Sequence, residues 1–186
     1  MPNYRALATT IRDRLGFRID VAAARTADRL VPAAFLAGLV SVEDAKLDPL
    51  AVRYEPAVFE KLRQVRDSVL PRSYNGIRRV QIADAPDEAL KALATSYGYT
   101  QIMGWHVLVA PLVQHSVAEL RNPVKHLNLA VELLEFNAAT YLRKKDYASV
   151  LRIWNTGRPN GQTYDPQYVF HALNVMGAYQ ALGKDS

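Results

Sequence analysis

The chain has 186 residues, no cysteine, 49% hydrophobic and 22% charged residues, and a formal net charge of +5. That length supports a core without disulfides or structural metal, and the missing cysteines exclude disulfide frameworks, thiolate nucleophiles and cysteine-ligated metals. The positive charge favours an anionic partner, but the basic residues fall in pairs, Arg78-Arg79 and Lys144-Lys145, which read as solvated surface.

Residues 3 to 16 read as a first helix, with Leu7, Ile11 and Leu15 on one face and Gly16 at its end. Asp20 is placed to cap a second helix over Val21 to Leu30. The N-terminus holds Arg5, Arg12, Asp13 and Arg14 and lacks the apolar run of a secretory signal; no stretch is apolar enough for a membrane span. The expectation is a protein made in the cytoplasm without a signal peptide.

A third helix follows in Val31 to Asp44, opened by Pro32, with apolar stripes Phe35, Leu39, Val42 and Leu36, Val40. The second stripe continues to Glu43. A carboxyl there is expected to be partly desolvated, the environment in which an acid keeps its proton near neutral pH. Lys46-Leu47-Asp48-Pro49 is a turn, followed by a short segment to Glu55.

Pro56 opens the next helix, with Phe59, Leu62, Val65 and Val69 inward and Pro71 closing it. Residues 71 to 85 read as a loop in which Ile77, Val80 and Ile82 make at most a short strand. Asp84 and Pro86 open a helix containing Leu90 and Leu93. A polar-aromatic loop runs from Ser96 to Gly104, and residues 105 to 120 read as helical despite Pro111. Asn122-Pro123 begins a long helix to Leu142 with Leu127, Val131, Leu134 and Ala138 inward. Asp146 starts a helix ending at Trp154-Asn155, and the last helix spans Gln167 to Leu182. The fold class is therefore all-α, with eight or nine helices and at most a vestigial β element.

His106, His115, His126 and His171 are scattered without metal-ligand company and read as surface or cap histidines; no metal and no cofactor is expected. No phosphate loop and no Gly-x-Ser-x-Gly are present. Carboxylate chemistry is the enzymatic option that remains.

Three segments in order resemble the lysozyme-like superfamily, in its bacteriophage-type N-acetylmuramidase and lytic transglycosylase branches. They are Val42-Glu43 followed by Asp48-Pro49-Leu50-Ala51-Val52, then Ser96-Tyr97-Gly98-Tyr99-Thr100-Gln101-Ile102-Met103-Gly104, then Ile153-Trp154-Asn155-Thr156-Gly157. Tyr54-Glu55-Pro56 with Val58-Phe59 also resembles a phage-muramidase element. The resemblance implies a single lysozyme-like domain over residues 1–186, with an N-terminal helical extension at 1–27 and a core at 28–180. It implies cleavage of the β-1,4 bond between N-acetylmuramic acid and N-acetylglucosamine, with Glu43 as general acid.

On that resemblance Gln101 would bond an N-acetyl group or a water, while Met103 and Trp154 would wall the acid's pocket. Asn155 would orient acid or substrate, and Tyr164 or Tyr168 would stand beside the glutamate. Tyr99-Thr100 replaces a usual leucine-methionine, which makes the substrate-binding loop more polar. Asp44 replaces a serine.

Inverting hydrolysis needs a second carboxylate about 6.5–9.5 Å from the first. Glu55 is the leading candidate, ahead of Asp44 and Asp48, and its competing role is to complement a helix dipole. A lytic transglycosylase needs only Glu43, acting as acid and then base to form 1,6-anhydro ends. A third reading is a non-catalytic peptidoglycan-binding domain of the same fold. The expected partner is peptidoglycan rather than nucleic acid, for which no recognition helix is seen. The protein is expected to be a monomer that reaches the wall by a holin, a phage particle or a secretion apparatus.

Overall fold

The computed structural model describes residues 2–25, 28, 30–69 and 73–183. The chain is mostly helical, 60% helix and 7% strand, with eight α-helices among the described residues. It forms two compact units, Met1–Leu47 with Leu127–Ser186, and Asp48–His126.

Among the described residues, the regular elements of the first unit are all helices. α1 (Tyr4–Ala24) starts where the Asn3 side chain accepts the Ala6 N–H at 3.0 Å, satisfying a donor left open at a helix start. It runs straight through Gly16. The expected break there fails because Ala8, Ile11, Leu15, Ile19 and Ala22 form one continuous buried stripe, and that burial outweighs the roughly 1 kcal/mol helix penalty of a glycine. Asp20 therefore lies inside α1 rather than capping a second helix. Part of that expected second helix, at residues 26, 27 and 29, is outside the described residues.

α2 (Ala33–Glu43) is buried from Ala34 to Ser41, so it is apolar all round, as a core helix should be. Pro32 precedes its first turn as the cap. α8 (Tyr168–Leu182) packs along α2, and α1 packs against both. At Gly38 an added Cβ would stand 2.5 Å from the Ala172 carbonyl oxygen. The two helices thus meet backbone to backbone, and only glycine permits it. α6 (His126–Arg143) buries the expected Leu127, Val131, Leu134 and Ala138. α7 (Tyr147–Thr156) is capped by Asp146, whose carboxylate accepts the Ser149 N–H at 3.1 Å.

The second unit mixes short elements. β1 (Val52–Tyr54) pairs antiparallel with β4 (Thr95–Tyr97), which pairs with β5 (Ile102–Met103), in the order β1-β4-β5. The segment from Ser96 to Gly104, expected to be a loop, is therefore a hairpin. Its ordering partner, β1, lies some forty residues away in sequence, where local pattern cannot reveal it. β2 (Ser73–Tyr74) and β3 (Ile77–Arg78) form a second hairpin, after which Val80 sits in a 3-10 turn (Arg79–Gln81), 78% exposed.

α3 (Pro56–Arg66) and α4 (Asp87–Leu93) begin where the sequence puts them, but α3 stops at Arg66, and Val69, expected inward, is exposed. The expected close of α3 at Pro71 lies outside the described residues. The expected helix over 105 to 120 is corrected. A 3-10 helix covers Gly104–Leu108, irregular chain follows, and α5 covers only Val117–Leu120. Pro111 lacks an N–H and disfavours helical geometry in the residue before it, which divides the segment.

Candidate functional site

In the first unit the candidate acid ends α2. Asp44 leaves the helix with φ −142°, its N–H still donating to the Val40 carbonyl at 2.9 Å. Glu43 is half-buried. The Tyr168 hydroxyl donates to Glu43 Oε1 at 2.5 Å, joining residues 125 positions apart, at the short end of O–H···O geometry. Tyr168 is only 5% exposed. Burial, and then the Glu43 charge, push its hydroxyl well above the usual tyrosine range, so it remains a donor at any working pH. The bond fixes the Glu43 rotamer from α8, the helix packed hardest against α2.

Around this pair, Asp44 is buried and its Oδ1 accepts the Lys46 N–H at 3.2 Å, so it holds the turn that follows the acid. Arg14 of α1 donates to the Lys46 and Leu47 carbonyls at 3.2 and 3.3 Å and braces the same corner. Of the two tyrosines expected beside the glutamate, Tyr168 is there and Tyr164 is wholly exposed. Trp154 is half-buried and Asn155 exposed at the end of α7, which closes on Gly157 in the left-handed region at φ 76°.

In the second unit the hairpin carries the other candidates. Gly98 has φ 65° and Gln101 φ 53°, and the Gln101 N–H returns to the Gly98 carbonyl at 3.2 Å. The Gln101 side chain serves its own turn: Oε1 accepts the Ser96 hydroxyl at 2.8 Å and Nε2 donates to the Gly98 carbonyl at 2.9 Å. Any sugar contact from this amide must use what those bonds leave. Met103, half-buried, faces Ser96 across the ladder.

Tyr99, expected among the substrate-binding residues of this loop, is instead a core residue. It is 2% exposed, with its ring edge-on to His126 at 6.2 Å. Glu55 sits just past β1 as the residue before α3, and its Oε1 accepts from Arg53 Nε at 2.6 Å. Glu55 makes no side-chain cap bond to α3.

His126 is also corrected, from a surface or cap residue to a fully buried one. Its Nε2 accepts the Thr100 N–H at 3.1 Å and takes the Thr100 hydroxyl at 2.8 Å; Nδ1 donates to the Leu120 carbonyl at 2.8 Å. Burial pushes its pKa down to about 4, and burial does the same to His106. Arg53 is absent from the sequence reading, and Ser96 and His126 appear in it without the bonds they make here. The one local hint was Gly98. The partners of His126 are chiefly groups of Thr100 and Leu120, and no residue pattern flags those.

Among the described residues no group of three or more His, Asp or Glu side chains could hold a metal ion, and no helix is long and apolar enough to cross a membrane. Comparison with protein-family models, with curated proteins and with solved structures gave no match.

Proposed function

We propose that the chain is a peptidoglycan-cleaving glycosidase of lysozyme-like type, acting on the β-1,4 bond between N-acetylmuramic acid and N-acetylglucosamine with Glu43 as general acid. The observation that carries this reading is the short bond from buried Tyr168 to half-buried Glu43 at the end of an apolar helix. A general acid must stay aimed while the bond breaks. Tyr168 aims it without contributing a charge of its own. Glu43 gives its proton to the leaving oxygen, the C1–O bond breaks through an oxocarbenium-like transition state, and water adds at C1, releasing to solvent a proton that replaces the one Glu43 gave up. On this reading the protein reaches the wall through a holin, a particle or a secretion apparatus.

One observation favours the transglycosylase outcome as a second reading. Glu55, the candidate second carboxylate, is engaged by Arg53 at 2.6 Å, which suits a mechanism with one working carboxyl. There the muramic acid 6-hydroxyl attacks C1 and returns its proton to Glu43.

Mass spectrometry of digested sacculi tests both. Reducing muramic ends mark the hydrolase and 1,6-anhydro ends the transglycosylase. Glu43→Gln should lower turnover by about a thousandfold while leaving the unfolding midpoint within error. Sacculi that are bound but yield no fragments would leave a binding domain, and sacculi that are neither bound nor cut would end the reading.

A further inference from the structure

The Gln101 turn is moulded on a histidine that the proposed chemistry does not use. Gly98 begins the turn, and a Cβ added there would meet His126 Cε1 and Nδ1 at 2.7 Å, closer than real contacts allow. Two residues on, Thr100 is wholly buried and presents both N–H and hydroxyl to His126 Nε2. The other ring nitrogen is held by the Leu120 carbonyl, which sets the tautomer: Nδ1 carries the hydrogen and Nε2 accepts. The two anchor points hold the chain on either side of Tyr99, and Gln101 follows directly on the second. Gln101 has φ 53°, a conformation uncommon for a residue with a side chain that persists only where its surroundings over-determine it.

We infer that His126 is a positioning residue for glycan binding: through Thr100 and the ring contact at Gly98 it sets the conformation of the Gln101 turn, and with it the aim of the Gln101 amide. The glycan part rests on the proposed function; the hold on the turn does not. A buried neutral imidazole suits this task because it offers one acceptor and one donor at a fixed angle on a rigid ring. Thr100 therefore matters through its hydroxyl, and Gly98 through the atom it lacks.

The test compares Thr100→Val, which keeps shape and loses the hydroxyl, with Thr100→Ser, which keeps it. Amide hydrogen exchange is followed over residues 98–103 and over α7 as a control. KM and kcat are measured on sacculi. Thr100→Val should speed exchange in the turn by about tenfold with α7 unchanged, and raise KM about tenfold with kcat nearly constant. Thr100→Ser should restore both.

Gly98→Ala supplies an independent arm and should reproduce the turn-confined exchange. Exchange that rises equally in α7, or that stays at the wild-type rate in the turn, overturns the inference. So does a loosened turn with an unchanged KM. If wild-type protein leaves sacculi untouched, the glycan reading falls on its own account, and the exchange arm still decides whether His126 holds the turn.

Discussion

The two units solve the same problem, fixing a side chain in space, by opposite means. In the helical unit Glu43 is placed by bulk packing: α2 is sheathed by α1 and α8, and one tyrosine hydroxyl completes the aim. In the mixed unit Gln101 is placed by point contacts, with two hydrogen bonds from its own amide, three at the His126 ring and a glycine under that ring. Packing spreads a constraint over many small interactions, so single polar losses in it are modest while volume changes are severe. Polar ties concentrate it, so a lost partner leaves a buried group unsatisfied.

That contrast can be broken from the largest effect downward. Gly38→Val forces α2 from α8 at the Ala172 carbonyl, and overpacking of this kind should cost about 3 kcal/mol, read as a lower midpoint in urea unfolding. An unchanged midpoint would show that the helices are not in rigid backbone contact.

Acid should come next. His106 and His126 have folded pKa values of about 4 against an ordinary 6.5, so the unfolded chain takes up their protons first. Stability should hold above pH 6.5 and fall as pH drops from there toward 4, with a slope approaching two protons. Urea midpoints across that window check it, and a flat profile would mean that the rings are hydrated.

Tyr168→Phe keeps the packing and removes the bond to Glu43, so turnover on sacculi should fall about tenfold with little change in KM. Asp146→Ala removes the cap of α7 and should cost about 1 kcal/mol. The smallest effect is expected at Arg53→Met, since its partnership with Glu55 is an exposed pair and such pairs contribute less than about 1 kcal/mol.

The same division explains what could be read in the sequence. The inward stripes of α6, the Asp146 start of α7 and the Glu43 end of α2 were legible, because helical burial repeats within a few residues. The reach of α1 past Gly16 was not, because continuous burial overrode a local stop signal. The hairpin around Gln101 was not legible either. Its strands are only three and two residues long, and its order comes from β1 and His126, both far along the chain. Of the candidate site, the glutamate and its tyrosine lay within the reading. The ring behind the turn lay outside it, because a histidine whose partners sit on Thr100 and Leu120 leaves no mark in the neighbouring letters.

The Glu43–Tyr168 bond links two helices that lie far apart in the sequence. A polypeptide that still lacks α8 would hold the glutamate without that tyrosine hydroxyl. The pairing arises only when α8 docks on α2, so the aim of the acid waits on a helix more than a hundred residues downstream.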